Sequence, residues 1–307
     1  MSSGVEHAPA FTHRAVLYSS DSEFMARVGS FVIEGVEAGE PVLVALSQRG
    51  LELLSGALGD RARNVSMVDM RTAGKNPARI IQLWAEFLAR CGASAPVRGV
   101  GEPVWEGRSA AELVECEIHE SLLNTAFAGR DSFTLLCPYD AASLPEPVLE
   151  GAEAVHPQHV GRDGVVHSHL ERSLDPFAQL LEPAPRGEVS RFETGDLHDV
   201  RGAALALADA RGANVRLRDD FALAVSEVAT NSLRHGDAEG TFQLWCDDGA
   251  LNCEVRGNGV ITDPMIGRCR PGPGSESGYG LWLVNQVCDL LQIRSNARGS
   301  IVRLSIS

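Results

Sequence analysis

The chain has 307 residues, 44% hydrophobic and 22% charged, the balance of a folded protein of about two domains rather than of a disordered or fibrous one. With Lys+Arg 27 against Asp+Glu 41 the formal net charge is -14, which repels a phosphate backbone, so no direct nucleic-acid binding is expected. Seven scattered cysteines (Cys91, Cys116, Cys137, Cys246, Cys253, Cys269, Cys288) form no C-x-x-C pair, and with neither a signal peptide nor a long apolar run the expectation is a soluble, reduced, cytoplasmic protein without membrane contact.

After an N-terminal tail over 1–12, residues 13–160 alternate β-rich runs (13–20, 41–47, 64–70, 97–103, 131–140) with amphipathic stretches (22–38, 50–58, 77–91, 109–127). Strand and helix taking turns predict βαβ units and an α/β domain with a mainly parallel, RecA-like sheet. Ligands of such sheets sit at the carboxyl ends of strands, here Tyr18, Ser19, Ser47, Asp69, Glu102, Tyr139 and Asp140. Tyr18, Glu102, Tyr139 and Asp140 are the candidates for a sensor pocket; the alternative is that Glu102, Tyr139 and Asp140 merely support turns and strand ends. Gly74-Lys75 is followed by Asn76-Pro77, so no phosphate loop is present and nucleotide hydrolysis in this half is not expected.

Several of these positions carry a resemblance: His13 to Tyr18, the turn Gly101-Glu102-Pro103-x-Trp105, a helix with Glu115, Asn124 and Phe127, then Cys137-Pro138-Tyr139-Asp140 and His156-Pro157. Together they resemble the MEDS sensory domain of bacterial signalling proteins, which implies a sensor of a ligand, such as a small-molecule signal, or of a state, with unknown specificity, over 13–160.

Residues 161–189 change character and end in a Pro-rich linker, Glu182-Pro183-Ala184-Pro185-Arg186-Gly187, which places a domain boundary near 185. His156, His159, His167 and His169 cluster at this junction. Their spacing allows a metal, but no cysteine or carboxylate set completes a site, and solvated junction histidines are the simpler expectation.

The second half opens with a strand-like run at 189–195 and an amphipathic stretch at 199–213. A helix is predicted over 221–236, with Asp219 or Asp220 as N-cap and Gly236 as the stop. On it Leu223, Glu227, Asn231 and His235 recur every four residues and share one face. A carboxylate and a carboxamide amid Val225, Val228 and Leu233 point to a cleft; an exposed polar stripe is the alternative. A hairpin over 241–260 turns at Asp247-Asp248-Gly249-Ala250, a Gly/Pro segment follows at 271–278, a helix opens at Gly278-Tyr279-Gly280-Leu281, and 299–304 forms a closing strand.

The order of these pieces resembles the GHKL (Bergerat-fold) ATPases over 190–307, and within them the anti-sigma factor serine kinases. Ser226-Glu227-Val228-Ala229-Thr230-Asn231 with His235-Gly236 resembles the N box, Val255 to Ile261 the first glycine box and Gly278-x-Gly280-Leu281 the second. The resemblance implies an α/β sandwich with helices on one face of a mixed, mostly antiparallel sheet. It implies ATP with Mg²⁺ held by Asn231, Glu227 as base, and nucleotide contacts from His235, Gly257, Asn258, Gly259, Gly278, Tyr279, Gly280, Leu281 and Ser300. A lid over 262–277 would close on them.

Three positions depart from the family pattern. Gly257 stands where the family has an adenine-reading Asp, Ile261 where it has a second glycine, and Glu276 where the better-known kinases carry a basic residue. Asn258 or a bridging water is the substitute open to the adenine end. The expected function is a bacterial anti-sigma regulator with a degenerate ATP pocket, sequestering a sigma factor and released by a STAS-domain anti-anti-sigma factor. The alternative is an active serine/threonine kinase of that antagonist. A sensor histidine kinase ranks lower, because residues 182–190 leave no phospho-accepting helical hairpin directly upstream. The related kinases imply a homodimer, and no cofactor beyond ATP and Mg²⁺ is expected.

Overall fold

The computed structural model describes residues 11–92, 95–161, 164–167, 175–182, 184, 187–236, 238–272, 274–275 and 278–307, with backbone only for 159–161, 164–167 and 175. Glu276, His169 and part of the linker fall outside these residues, as do the side chains of His159 and His167. The chain divides into two compact units, Met1–Lys75 with Leu83–Ser173, and Asn76–Gln82 with Leu174–Ser307.

The first unit is built on a seven-stranded sheet of order β3-β2-β4-β5-β1-β6-β7. Its strands are β1 Thr12–Tyr18, β2 Val42–Leu46, β3 Val65–Asp69, β4 Val97–Gly101, β5 Phe133–Asp140, β6 Gln158–Gly161 and β7 Gly164–His167. All neighbours run parallel except the β6–β7 pair, as the alternation of strand and helix predicts. Strand β2 is buried along its whole length, which is why it reads as an unbroken apolar run.

Among the described residues these strands are accompanied by α1 Asp21–Phe24, α2 Ser30–Glu37, α3 Gln48–Leu58, α4 Met70–Ala73, α5 Ile80–Arg90 (from Leu83 onward in this unit), α6 Ala110–Ala126 and α7 Glu146–Val155. The stretch expected as one helix over 22–38 contains a π-helical turn, Met25–Gly29, between α1 and α2. Two glycines in β4 have a local reason: a Cβ at Gly99 or Gly101 would lie 2.9 Å from the Trp84 ring of α5. Helix α6 begins with a full capping box, Ser109 with Glu112. Helix α7, β6 and β7 were not anticipated.

The second unit contains α8 Asp175–Ala178, β8 Val189–Glu193, α9 Leu197–Ala210, α10 Val215–His235, β9 Glu239–Asp247, β10 Ala250–Gly257, α11 Tyr279–Val287, β11 Leu290–Asn296 and β12 Gly299–Ile306. The sheet order is β11-β12-β10-β9-β8, antiparallel throughout rather than mixed. Residues of α9, α10 and α11 (Ala204, Val225, Val228, Leu281, Val284) bury one face of the sheet through Leu251, Cys253, Val255, Leu304 and Ile306. Helix α10 starts earlier than expected. Its N-cap is Asn214, whose side chain accepts from the Leu217 amide at 2.9 Å, and Asp219 and Asp220 lie inside the helix.

The opposite face of this sheet carries polar groups under a strap of chain. Glu254, 2% exposed, accepts from Arg256 Nε at 2.6 Å and Arg303 Nε at 2.8 Å. The same arginines donate to the strap carbonyls of Leu181 and Glu182, while Asn296 Nδ2 donates to Ala178 O at 3.0 Å. Asn76–Gln82 also groups with this unit: Arg79 donates to the carbonyls of Asn285, at 2.6 Å, and Cys288. Those are carbonyls at the end of α11, which a helix leaves without intrahelical partners.

No helix among the described residues is long and apolar enough to cross a membrane. Phe221 is fully buried on α10, so Phe221→Ala should cost the second unit about 3–5 kcal/mol by leaving a cavity. Denaturant titration of the full chain, with the second unit followed through hydrogen exchange of its backbone amides, measures it.

Candidate functional site

In the second unit a cavity of about 530 Å³ opens between α10, the segment after β10 and the start of α11, a volume in the usual range for small-molecule pockets. Its lining includes Glu227, Asn231 and His235 from α10, Gly259 to Asp263, Gly278 to Leu281, and Ser300. Glu227 and Asn231 lie one helical turn apart, so their side chains leave α10 in the same direction. They converge on Gly280: a Cβ there would lie 2.5 Å from Glu227 Oε2 and 3.1 Å from Asn231 Nδ2. A glycine at 280 therefore lets the polar pair reach the backbone of the first turn of α11.

Gly278 caps that helix at φ +93°, in the left-handed region that favours glycine. The amides following it open a helix of nine residues, where the positive end of the helix dipole suits an anion. A carboxylate, a carboxamide oxygen and helix-opening amides in one cavity form a donor set that fits a phosphate–Mg²⁺ group. Asn231 and Glu227 would stand on the cation side and the amides of 279–281 on the phosphate side.

The other end of the cavity differs from expectation. Gly257 and Asn258 do not line it; they line a separate depression of about 390 Å³ with Arg256 and Arg298, and Ser300 borders both. A Cβ at Gly257 would collide with Ser232 Oγ, a buried hydroxyl with no hydrogen-bond partner among the described residues. Part of the segment expected as a lid over 262–277 is held to the body. Ile266 packs on the core, Arg268 is buried, and Asn285 Nδ2 donates to Gly267 O at 2.9 Å. Met265 N donates to Asp263 Oδ1 at 2.9 Å. The chain is thus fixed to the body as far as Arg268.

In the first unit the four sensor candidates separate. Tyr18 and Asp140 are register partners at the ends of β1 and β5, and Glu102 follows β4 with its Oε2 accepting from the Ser47 amide at 2.7 Å. Burial pushes the Glu102 carboxyl up, against the bonds from Ser47 that pull it down. Burial also pushes the Tyr18 phenol up, reinforced by the Glu102 and Asp140 charges. Tyr139 does not join them. Adjacent residues of a strand point to opposite faces, so Tyr139 lies under α6 and α7, 2% exposed, with its ring edge-on to His156 at 5.8 Å.

There it borders a polar cluster that sequence reasoning only partly located. His13, Glu120, Cys137 and His156 are all buried. Of the junction histidines, His156 thus belongs to the interior. Burial pushes the Glu120 carboxyl up, but His156 and His13 beside it more than reverse this and hold it well below the usual range. Burial, then His156, lowers His13. Glu120 was missed, although Cys116, Glu120 and Asn124 recur every four residues on α6 and mark a polar stripe on a buried face.

Fold and clefts define a two-unit chain, a mainly parallel α/β unit followed by an antiparallel sheet with helices on one face and a cleft beside them. Residues 12–157 match the family model described as MEDS, the MEthanogen/methylotroph, DcmR Sensory domain. Residues 191–306 match that of the Histidine kinase-like ATPase domain. The chain is a MEDS domain followed by a histidine-kinase-like ATPase domain. No curated protein matches it.

Gly259 of the cleft and Gly272 outside its lining yield a paired prediction. A Cβ at Gly259 would collide with the backbone carbonyl of His235, whereas one at Gly272 meets nothing within 4 Å. Gly259→Ala should destabilise by about 1–3 kcal/mol, and Gly272→Ala should stay within about 0.5 kcal/mol of the parent, both read from melting temperatures.

Proposed function

We propose that this protein is a bacterial anti-sigma regulator of a partner-switching system. The ATPase-like domain binds a sigma factor, a STAS-domain anti-anti-sigma factor displaces it, and the MEDS domain takes a small-molecule signal. The resemblance to anti-sigma serine kinases adds a cytoplasmic location and a homodimer. One observation carries the reading. Glu227 and Asn231 stand against Gly280 in the cleft, but Gly257, where the related kinases have a carboxylate, lines a separate depression, and Ser232 Oγ, at the cleft wall, sits where a side chain from 257 would start. A scaffold preserved around an impaired nucleotide pocket supports a binding role more than a phosphotransfer role.

The second reading is an active ATP- and Mg²⁺-dependent kinase of the antagonist, favoured by the Glu227–Asn231 pair itself. In that case Glu227 would orient and deprotonate the attacking serine hydroxyl while Asn231 held the cation. Glu227→Gln should then abolish turnover with little loss of nucleotide affinity, whereas Asn231→Ala should weaken the Mg²⁺-dependent part of binding. Equal losses of turnover and affinity in both variants would return the pair to a structural role.

Calorimetric titration of the full chain should show ATP affinity weaker than about 10 μM. Gly257→Asp combined with Ser232→Ala should improve it at least about tenfold, the scale of a charged hydrogen bond to the base, and more than Gly257→Asp alone, because the hydroxyl no longer opposes the new side chain. Low-micromolar binding by the parent would contradict an impaired pocket. Candidate sigma factors and STAS proteins titrated against the full chain should include one bound below about 1 μM without nucleotide. An absolute ATP requirement would instead favour the kinase.

A further inference from the structure

We propose that His13, Glu120, Cys137 and His156 bind one divalent transition-metal ion, zinc by the nature of the donors, in the interior of the MEDS domain. The four come from β1, α6, β5 and the residue after α7. Each offers one ligand atom, and these atoms all lie within 4.8 Å of one another.

The hydrogen bonds around the cluster decide which way the imidazoles face. Asn124 Nδ2 donates to Val155 O at 3.0 Å, which fixes the amide and turns Asn124 Oδ1 toward His13 Nδ1, 3.1 Å away. An amide oxygen accepts only, so His13 Nδ1 carries the proton. His156 Nδ1 lies 2.7 Å from Ala152 O, another pure acceptor, so it too is protonated at Nδ1. In a neutral ring the other nitrogen then holds a lone pair.

Both of these lone-pair nitrogens point at one carboxylate. His13 Nε2 is 2.9 Å and His156 Nε2 3.2 Å from Glu120 Oε2, and His13 Nε2 is 3.3 Å from Cys137 Sγ. Neither Glu120 oxygen nor His156 Nε2 has a hydrogen-bond partner among the described residues. The Cys137 thiol can donate its one proton to His13 Nε2, which still leaves His156 Nε2 and Glu120 Oε2 facing each other as acceptors in a dry interior, an arrangement that calls for a cation between them. A proton would supply it only by burying an imidazolium charge against the carboxylate, a pair that is costly to desolvate.

A divalent ion meets the same need without imbalance. One carboxylate, one thiolate and two neutral imidazoles cancel its charge. Outer nitrogens fixed by a backbone carbonyl and an amide oxygen are the supporting contacts that metal-ligating histidines use. A tetrahedral ion with bonds of about 2.0–2.1 Å to nitrogen and 2.3 Å to sulfur sets its donors about 3.3–3.6 Å apart, so small adjustments of the three separations above accommodate it. On binding, the Cys137 S–H bond breaks, an S–metal bond forms and the proton passes to solvent. Four protein donors leave no open position, which suits an ion that is sensed or structural rather than catalytic.

The test uses the full chain, stripped with chelator under reducing conditions, reloaded with Zn²⁺ alone and desalted. About one zinc per chain should remain, fall at least about fivefold in His156→Ala and Cys137→Ser, and persist in Cys269→Ser, an exposed cysteine elsewhere. Loading with Co²⁺ alone should give the wild type a near-ultraviolet sulfur-to-metal charge-transfer band, which needs no variant and so survives any folding defect. Zinc retention below about 0.2 per chain, a cobalt complex without that band, or equal loading of the wild type and both ligand variants would each overturn the proposal and leave a polar core network.

Discussion

The approach of α11 to α10 at Gly280 is the contact on which the cleft of the second unit depends. With no side chain at 280, Glu227 and Asn231 stand against backbone amides rather than against another side chain. The apolar flank of the same helices, Val225 and Val228 with Leu281 and Val284, anchors both to the sheet. The two jobs fall on different faces of α10: burial holds the helix, and the mouth of the cleft receives groups that would be expensive in a core.

The MEDS domain solves the opposite problem, since its polar groups lie inside. Helix α6 places Cys116, His119 and Glu120 in the interior, so its apolar stripe is interrupted and burial alone specifies its rotation weakly. Direction comes from polar contacts: Asn124 reaches the Val155 carbonyl at the end of α7 and His13 on β1 at once. One amide thereby ties a strand and two helices. The Gly101 to Trp105 turn has a comparable tie, with Arg108 stacked 3.5 Å over the Trp105 ring and donating to the carbonyls of Pro103 and Gly74.

Much of this was legible in the chain. Strand β2 stands out because both faces are covered, which makes it a continuous apolar run, and β1, β3, β4 and β5 stand out as β-rich runs alternating with helical patterns. The three nucleotide-box motifs stand out because each needs a particular residue at a particular place. What escaped has physical reasons. Helix α7 carries Pro147 in its first turn, which reads as a loop signal until it is seen as tolerated there. Strand β11 places Gln292 and Arg294 on the outer face, where the strap buries them, so its alternation mixes charge with burial. Tyr139 was grouped with Asp140 by proximity in sequence, although period-two alternation already assigns neighbours to opposite faces. Glu120 meets its partners only through tertiary structure, more than a hundred residues from His13.

The strap on the second sheet bears on how the protein can be dissected. Phe177 is 8% exposed, and the carbonyls of Ala178, Leu181 and Glu182 accept from Asn296, Arg256 and Arg303. A fragment cut at the Pro-rich linker would leave Glu254 and its two arginines facing water and strip the cover from β11. The natural N-terminal limit of an excised ATPase-like domain therefore lies ahead of α8, well upstream of the first residue that its family pattern recognises.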